Sequence, residues 1–274
     1  MSLADAQNPA PPLMPKPRQP RRFGGVRTIV ALMLREMTTT NSRSAGGYLW
    51  AILEPVGGIL LLTAIFSAAF RTPPLGVNFP IFYATGIVPF VLYGSISSKM
   101  ANSLQFSRSL LAYPTVTFVD ALVARLLVNL MTQIMVAYLI FSFILLIYDT
   151  RTILDLPLII EAFAMATILA AGIGVMNCYL FSAFPLWQQL WAIANRPLFI
   201  LSTLFFTFES VPQPYRDYLW YNPLIHVVGL SRSGFYPTYD ADYVSRIYVY
   251  GLGFGLMLFG LLFLKRFHRD LIDR

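Results

Sequence analysis

The sequence predicts an all-α membrane protein, a bundle of six transmembrane helices per subunit. Of the 274 residues 57% are apolar and only 12% charged, and the mean hydropathy is +0.62. Such a composition favours a bilayer over water as solvent. Six apolar stretches, at about 49–70, 79–98, 118–148, 157–182, 186–208 and 246–264, each approach the ~20 residues that cross a hydrocarbon core of about 30 Å. The third exceeds that length and is expected to tilt or project from the membrane.

Ahead of these stretches, residues 1–23 hold Pro9, Pro11, Pro12, Pro15, Pro17 and Pro20 among polar and basic residues. This reads as a disordered tail, and it lacks the apolar core of a cleavable signal peptide. Residues 24–274 read as a single transmembrane domain. Val26, Ile29, Val30, Met33, Leu34 and Met37 recur at the spacing of one helical face, with Arg27, Arg35 and Glu36 assigned to the other. A stripe this short, backed by arginines, suits an amphipathic helix lying in the headgroup layer; a helix docked on a partner has the same pattern.

An even number of spans places both termini on one side, and loop charge selects which. With the N-terminus inside, the cytoplasmic segments hold thirteen Lys and Arg residues, and the outer ones hold Arg71, Arg151, Arg216, Arg232 and Arg246. The asymmetry predicts cytoplasmic termini. The basic excess, 20 Lys+Arg against 13 Asp+Glu, flanks the apolar runs, so it reads as an orientation signal and not as a nucleic-acid face.

Two connectors are longer than plain loops. Lys99 to Tyr113 is polar and helix-compatible, with Met100, Leu104 and Leu111 on one side and Pro114 stopping it. Asn222 and Pro223 form an N-cap and first-turn pair for a helix running to about Phe235, too short to span and interrupted by Gly229 and Gly234. Preceded by Val211-Pro212-Gln213-Pro214, it reads as a re-entrant segment tucked into the bundle. The alternative is a flat interfacial helix held by Tyr215, Tyr218, Trp220 and Tyr221.

Catalytic and cofactor signatures are missing from the sequence. There is no phosphate-cradling G-x-x-x-x-G-K-[ST], no H-E-x-x-H and no G-x-S-x-G. His226 and His268 are too few for a metal site, and the single cysteine, Cys178, reads as a small buried hydrophobe. Four ionisable groups fall inside the predicted spans: Glu54, Arg125, Glu161 and Arg196. Facing lipid would cost each a few kcal/mol, so each is expected to face the bundle interior, water or a partner. Arg196, just before Pro197, reads either as a cation lining a path for an anion or as a structural partner of Glu54 or of a carbonyl. For Glu54, Arg125 and Glu161, near span ends, the structural reading leads. Trp187 and Trp191 share a helical face, and Tyr83 and Tyr93 flank the Gly86 to Pro89 break. Membrane belts account for such rings, and stacking on sugar faces is the alternative.

Three segments occur in order: Gly47-Tyr48-Leu49-Trp50-Ala51-Ile52-Leu53-Glu54-Pro55 entering the first span, Leu110-Leu111-Ala112-Tyr113-Pro114 closing the cytoplasmic connector, and Tyr221-Asn222-Pro223-Leu224 before the last span. With the amphipathic helix before them, they resemble the permease subunit of type-2 ABC exporters for polysaccharide, closest to the inner-membrane permease of capsular polysaccharide export. The resemblance covers about residue 24 to the C-terminus.

It implies a homodimeric permease in the bacterial inner membrane, with two copies of a separate ATPase that carries the ATP and Mg sites, and with no enzyme activity, metal or cofactor in this chain. A periplasmic or outer-membrane export adaptor and an anionic lipid-linked polysaccharide are the further partners implied. Residues 99–113 would form the ATPase-coupling helix, with Asn102, Leu104, Arg108, Leu110, Leu111 and Tyr113 as contacts. Arg27, Arg35, Arg43, Glu54, Tyr83, Tyr93, Lys99, Trp187, Trp191 and Arg196 would line the substrate path. The outer gate would comprise Tyr221, Asn222, Pro223, His226 and Arg232. O-antigen, teichoic-acid-type, and drug or lipid exporter permeases are the nearest alternatives. A secondary transporter would need mid-membrane coupling charges and an internal repeat.

Overall fold

The computed structural model describes the backbone of residues 24–42, 47–111 and 116–273 and the side chains of 25–38, 49–107 and 116–267. The tail 1–23, Arg43 and Tyr113 lie outside the described residues. Helices make up most of the described chain, in the order α1 (Gly24–Ser42), α2 (Gly47–Ala69), α3 (Phe79–Ala101), α4 (Ser103–Leu111), α5 (Phe118–Ile147), α6 (Leu156–Ala183), α7 (Pro185–Leu201), α8 (Tyr215–Trp220), α9 (Pro223–Phe235) and α10 (Arg246–Asp273). Five of them, α2, α3, α5, α6 and α10, are long and apolar enough to cross a membrane. The starts are chemically set. Thr117 and Asp120 form a reciprocal capping box at α5, and the Asp155 carboxylate accepts Leu158 N–H at 3.2 Å to open α6.

Helix α6 is the hub. Its Ala162, Met165, Ala166, Leu169 and Ala170 are fully buried, and glycines on two faces bring its neighbours to backbone contact. A Cβ on Gly172 would overlap the Gly253 carbonyl of α10, and one on Gly174 would lie 2.7 Å from Met100 Cβ of α3. Close approach through small residues is how helices associate in lipid, where apolar burial between helices gains little. Helix α9 is packed against α3 and α6, with Leu224, Ile225, Val227, Val228, Leu230 and Phe235 buried. The short segment is therefore tucked into the bundle, and it stays helical through Gly229 and Gly234. Helices α1 and α4 pack on α5 at the opposite end of the bundle.

The structure departs from the sequence expectation in three places. The apolar stretch 186–208 yields a helix of only 17 residues, α7, that stops at Leu201. Thr203 then takes a left-handed φ of 57°, and residues 204–207 are non-helical. The connector helix begins at Ser103, not Lys99, because Asn102 caps α3 by donating from Nδ2 to Ser98 O at 2.8 Å. Glu36, assigned to the polar face of α1, is buried at 5% exposure and points into the bundle.

Gly172→Leu is expected to block the α6–α10 approach at a cost above the 1–3 kcal/mol of ordinary overpacking, since the obstruction is backbone. Gly251→Leu, at a glycine with nothing within 4 Å, should be tolerated. The yield of monodisperse protein in detergent and its unfolding midpoint check both. Equal behaviour of the two variants would refute the role given to Gly172.

Candidate functional site

At the α4 end of the bundle four helices meet on one cation. Arg125, on α5, donates from Nε to Glu36 Oε1 of α1 at 3.0 Å and from Nη1 to the Asn102 carbonyl, between α3 and α4, at 3.1 Å. The Phe106 ring of α4 lies 4.2 Å from its guanidinium carbon. Both ionised side chains are nearly closed off from solvent, at 10% and 6% exposure. The pairing answers the burial cost that a lone Arg125 would carry, and it ties the amphipathic helix, the α3–α4 junction and α5 together. Arg35 reaches the same Phe106 ring from α1 at 5.9 Å, and Lys99 lies within electrostatic reach of Glu36, Arg125 and Glu54.

At the other end, α9 holds the non-helical stretch after α7 from two sides. Asn222 caps α9 by accepting Leu224 N–H at 3.1 Å, and its Nδ2 donates to Leu201 O and to Ser202 Oγ, both at 3.2 Å. Arg232 is fully buried. It donates to Phe206 O at 2.9 Å and to Leu204 O at 3.3 Å, with its guanidinium carbon 4.3 Å from the Phe82 ring centre. These bonds occupy carbonyls freed where α7 ends. They are the physical reason that the predicted span stops short.

His226, also buried, accepts Ser245 N–H at Nδ1 (3.2 Å), so the proton sits on Nε2 and is donated to Trp220 O at 2.9 Å. Burial lowers the pKa of this ring. The Tyr239 hydroxyl donates to Glu209 Oε2 at 3.1 Å and lies 3.2 Å from Tyr243 Oη. Burial raises both phenols, Tyr243 to about 12.

A cavity of about 290 Å³ opens between the α3 face formed by Phe90, Tyr93, Gly94, Ser97 and Ser98 and the α7 face formed by Gln188, Trp191, Ala192 and Asn195. Trp187 Nε1 donates to Asn177 Oδ1 of α6 at 2.9 Å and its ring stacks on Trp191 at 6.3 Å. Together these contacts fix how α7 presents its rings.

The residues singled out from the sequence are distributed as follows. Asn102 lies at the four-helix node, and Leu104 is buried beside it. Arg108, Leu110 and Leu111 belong to α4, but their side chains, like Arg43 and Tyr113 as a whole, lie outside the described residues. Arg27 and Glu54 are exposed, Lys99 is half-buried and Tyr83 is sealed in the core. Tyr93 and Trp191 border the cavity. Arg196 is exposed on α7, and no pairing with Glu54 forms among the described residues. Glu161 pairs with Arg246 at 2.8 Å. Tyr221 is exposed, and its carbonyl accepts the Tyr248 hydroxyl at 2.6 Å. Pro223 opens α9. Sequence reasoning missed Glu36, Phe106, Gln188 and Asn195. The signals were present: Ile29, Leu32, Met33 and Glu36 share one helical face, and so do Gln188, Trp191, Ala192 and Asn195.

Residues 27–236 match the family model described as ABC-2 type transporter. The Polysialic acid transport protein KpsM of Escherichia coli is 32% identical over 222 residues, covering 81% of this chain and 86% of that protein. The Capsule polysaccharide export inner-membrane proteins CtrC of Neisseria meningitidis serogroup B and BexB of Haemophilus influenzae are each 24% identical, over 89% of this chain and 92% of theirs.

Two measurements check the polar nodes. Arg125→Met removes the guanidinium from the buried Glu36 carboxylate, at an expected loss of about 3–5 kcal/mol in stability, whereas the double variant Glu36→Leu with Arg125→Met should recover most of it. Failure of the double variant to recover would show that the pair is not what the site rests on. For His226, the folded pKa lies below the unfolded value of about 6.5. The unfolded chain therefore takes up more protons as pH falls through that value, and stability drops on the acid side. His226→Gln should flatten that acid fall in the unfolding midpoint; an unchanged slope assigns the effect elsewhere.

Proposed function

The chain belongs to the ABC-2 type transporter family, and from that premise we propose that it is the permease subunit of an ATP-driven exporter of lipid-linked, acidic capsular polysaccharide. Its relatives are inner-membrane export proteins, and its five long apolar helices suit a multi-pass protein of that membrane. In this reading a homodimer forms the translocation path from cytoplasm to periplasm. Two copies of a separate ATPase bind the face bearing α1 and α4, and an envelope adaptor receives the polymer on the far side.

The observation that carries the reading is the character of α7. None of its residues is buried within the chain, yet it exposes Gln188, Gln189 and Arg196. A lipid-facing helix would not tolerate that arginine without a cost of a few kcal/mol, so this flank suits a water-filled path or a second copy. Helix α7 covers about 25 Å at 1.5 Å per residue. Residues 202–207 continue the chain from its end, where Asn222 holds Leu201 O and Ser202 Oγ, which supports a sixth crossing made of a helix and an unwound end.

The four-helix node supplies the coupling logic. Helix α4 is the proposed ATPase contact, and any push on it meets Arg125 through Phe106 and the Asn102 carbonyl, and α1 through Glu36. The α9 segment, with Tyr221, Asn222, Pro223, His226 and Arg232, is the proposed outer gate. Arg27, Arg35, Arg43 and Lys99 are the proposed contacts for phosphate or carboxylate groups at the inner mouth.

Ser107→Pro in α4 removes a helical N–H and crowds the preceding turn, about 3 kcal/mol or more. It is expected to reduce surface polymer to background while membrane insertion and yield hold. Co-purification of the wild-type chain with its ATPase, and reduced ATP hydrolysis in Arg108 and Leu111 variants, is expected alongside. Normal surface polymer from the Ser107→Pro variant would contradict the coupling assignment.

A further inference from the structure

The cavities in this chain differ in chemistry. A cleft of about 810 Å³ at the α9 end is lined by ionisable groups, among them Asp155, Asp240, Asp242 and Arg246. A groove of about 630 Å³ between α5 and α6 is walled almost wholly by hydrocarbon, the lining an acyl chain or another apolar surface would choose. The cavity between α3 and α7 is of a third kind. It holds about 290 Å³, the room of about ten waters at ~30 Å³ each. Its walls combine the Phe90, Tyr93 and Trp191 rings with the Gln188, Asn195 and Asn102 amides, and no Lys, Arg, His, Asp or Glu lines it.

Each kind of wall narrows the ligand. Without a cation in the lining, a phosphate or carboxylate has no counter-charge there, and without a carboxylate an amine has none. Burying several amides and hydroxyls under an acyl chain would strip them of hydrogen bonds. The amides of Gln188 and Asn195 have no hydrogen-bond partner in the chain among the described residues. Each offers two donors and one acceptor, the complement of a ligand that carries hydroxyls in several directions. The rings offer flat apolar faces to C–H surfaces. Residues 188, 191, 192 and 195 fall on one face of α7, so ring and amides are presented together.

We propose that this cavity is a subsite for one uncharged sugar ring of the transported glycan, with Trp191 and Tyr93 as its stacking faces and Gln188 and Asn195 as its hydrogen-bonding arms. The inference deepens the permease reading and rests on it for the source of the ligand. A volume of about 290 Å³ has room for a sugar ring. Acidic groups of the polymer are left to the basic residues outside the cavity.

Gly94 gives a clean test. A Cβ there meets nothing within 4 Å, so a side chain can start from Gly94 without a backbone clash, and Gly94→Leu is expected to fill the space. The full chain with its ATPase is placed in nanodiscs, free of sugar-headed detergents that would occupy the site. It is then titrated with methyl β-D-glucopyranoside and methyl N-acetyl-β-D-glucosaminide, with sodium glucuronate as the charged comparison. Tryptophan emission should change saturably in the millimolar range with at least one neutral glycoside. Binding should be at least tenfold weaker for glucuronate, and at least tenfold weaker in Gly94→Leu and Gln188→Leu at unchanged yield; the signal should vanish in Trp191→Phe. Surface polymer is measured in parallel in cells lacking the native copy. No saturable change with either neutral glycoside in a wild-type chain that restores polymer overturns the subsite and leaves the permease reading intact, as does wild-type binding by Gly94→Leu. Glycoside binding by a wild-type chain that restores no polymer supports the subsite and overturns the permease reading.

Discussion

A guanidinium sealed from water with no carboxylate hydrogen-bonded to it among the described residues must be held largely by dipoles, and Arg232 imposes that requirement on the architecture at the α9 end. An uncompensated buried charge costs several kcal/mol. Here the Leu204 and Phe206 carbonyls and the Phe82 ring carry the compensation, the ring supplying up to about 2 kcal/mol in a desolvated setting. Those carbonyls are free because the chain has left the helix. A regular α7 running through 208 would have consumed them in its own hydrogen bonds. The unwound stretch, the burial of α9 and the short α7 are therefore one feature. Gly86 completes it, since a Cβ there would lie 3.0 Å from Leu204 Cδ2 and 3.6 Å from Arg232 Nη2.

The second buried arginine solves the same problem differently. Arg125 has a true counter-ion in Glu36, and its Nη1 donates to the Asn102 carbonyl, where α3 gives way to α4. The two nodes sit near opposite ends of α3. From Phe82 to Asn102 is twenty residues, about 30 Å of helix. The cavity lies along that rod, facing α7, which is itself fixed at its start by the Trp187–Asn177 hydrogen bond and at its end by Asn222. In the proposed coupling, a displacement of α4 would reach α3 through the Asn102 carbonyl and α1 through Arg125 and Glu36. Packed helices switch between discrete arrangements more readily than they deform.

How much of this was legible in the sequence follows from what each signal measures. Hydropathy and length located every long helix because the bilayer thickness fixes both. Capping chemistry placed α9 to the residue, since Asn222-Pro223 acts within one turn. The end of α7 was not legible, because the agent that unwinds it, Arg232, lies about thirty residues away and acts only after α9 folds into the bundle. Glu36 was misassigned for a related reason. Six apolar residues outvoted one acid in setting the face of α1, while the structure turns Ile29, Leu32, Met33 and Glu36 inward and leaves Val26, Val30, Leu34 and Met37 exposed. A charge with a dedicated partner can override a stripe. That partner was visible as Arg125, an ion in an apolar run that needed explaining.

The uneven exposure of the helices carries the last step. Helix α2 exposes Leu60, Leu61 and Ile65, side chains that lipid accommodates at no cost, whereas α7 exposes amides and an arginine that lipid penalises. The flank bearing α7 is thus the one that the hydrocarbon cannot cover. It is also the flank on which the α3–α7 cavity opens, so the surface that must find water or a second copy is the same surface that offers rings and free amides to a ligand. A chain folded for structural self-sufficiency would have turned Gln189 and Arg196 against its own α3 and α6 and closed the space between α3 and the Gln188 and Asn195 amides. Leaving them outward makes sense when the partner across that flank, whether polymer or protein, belongs to the working state.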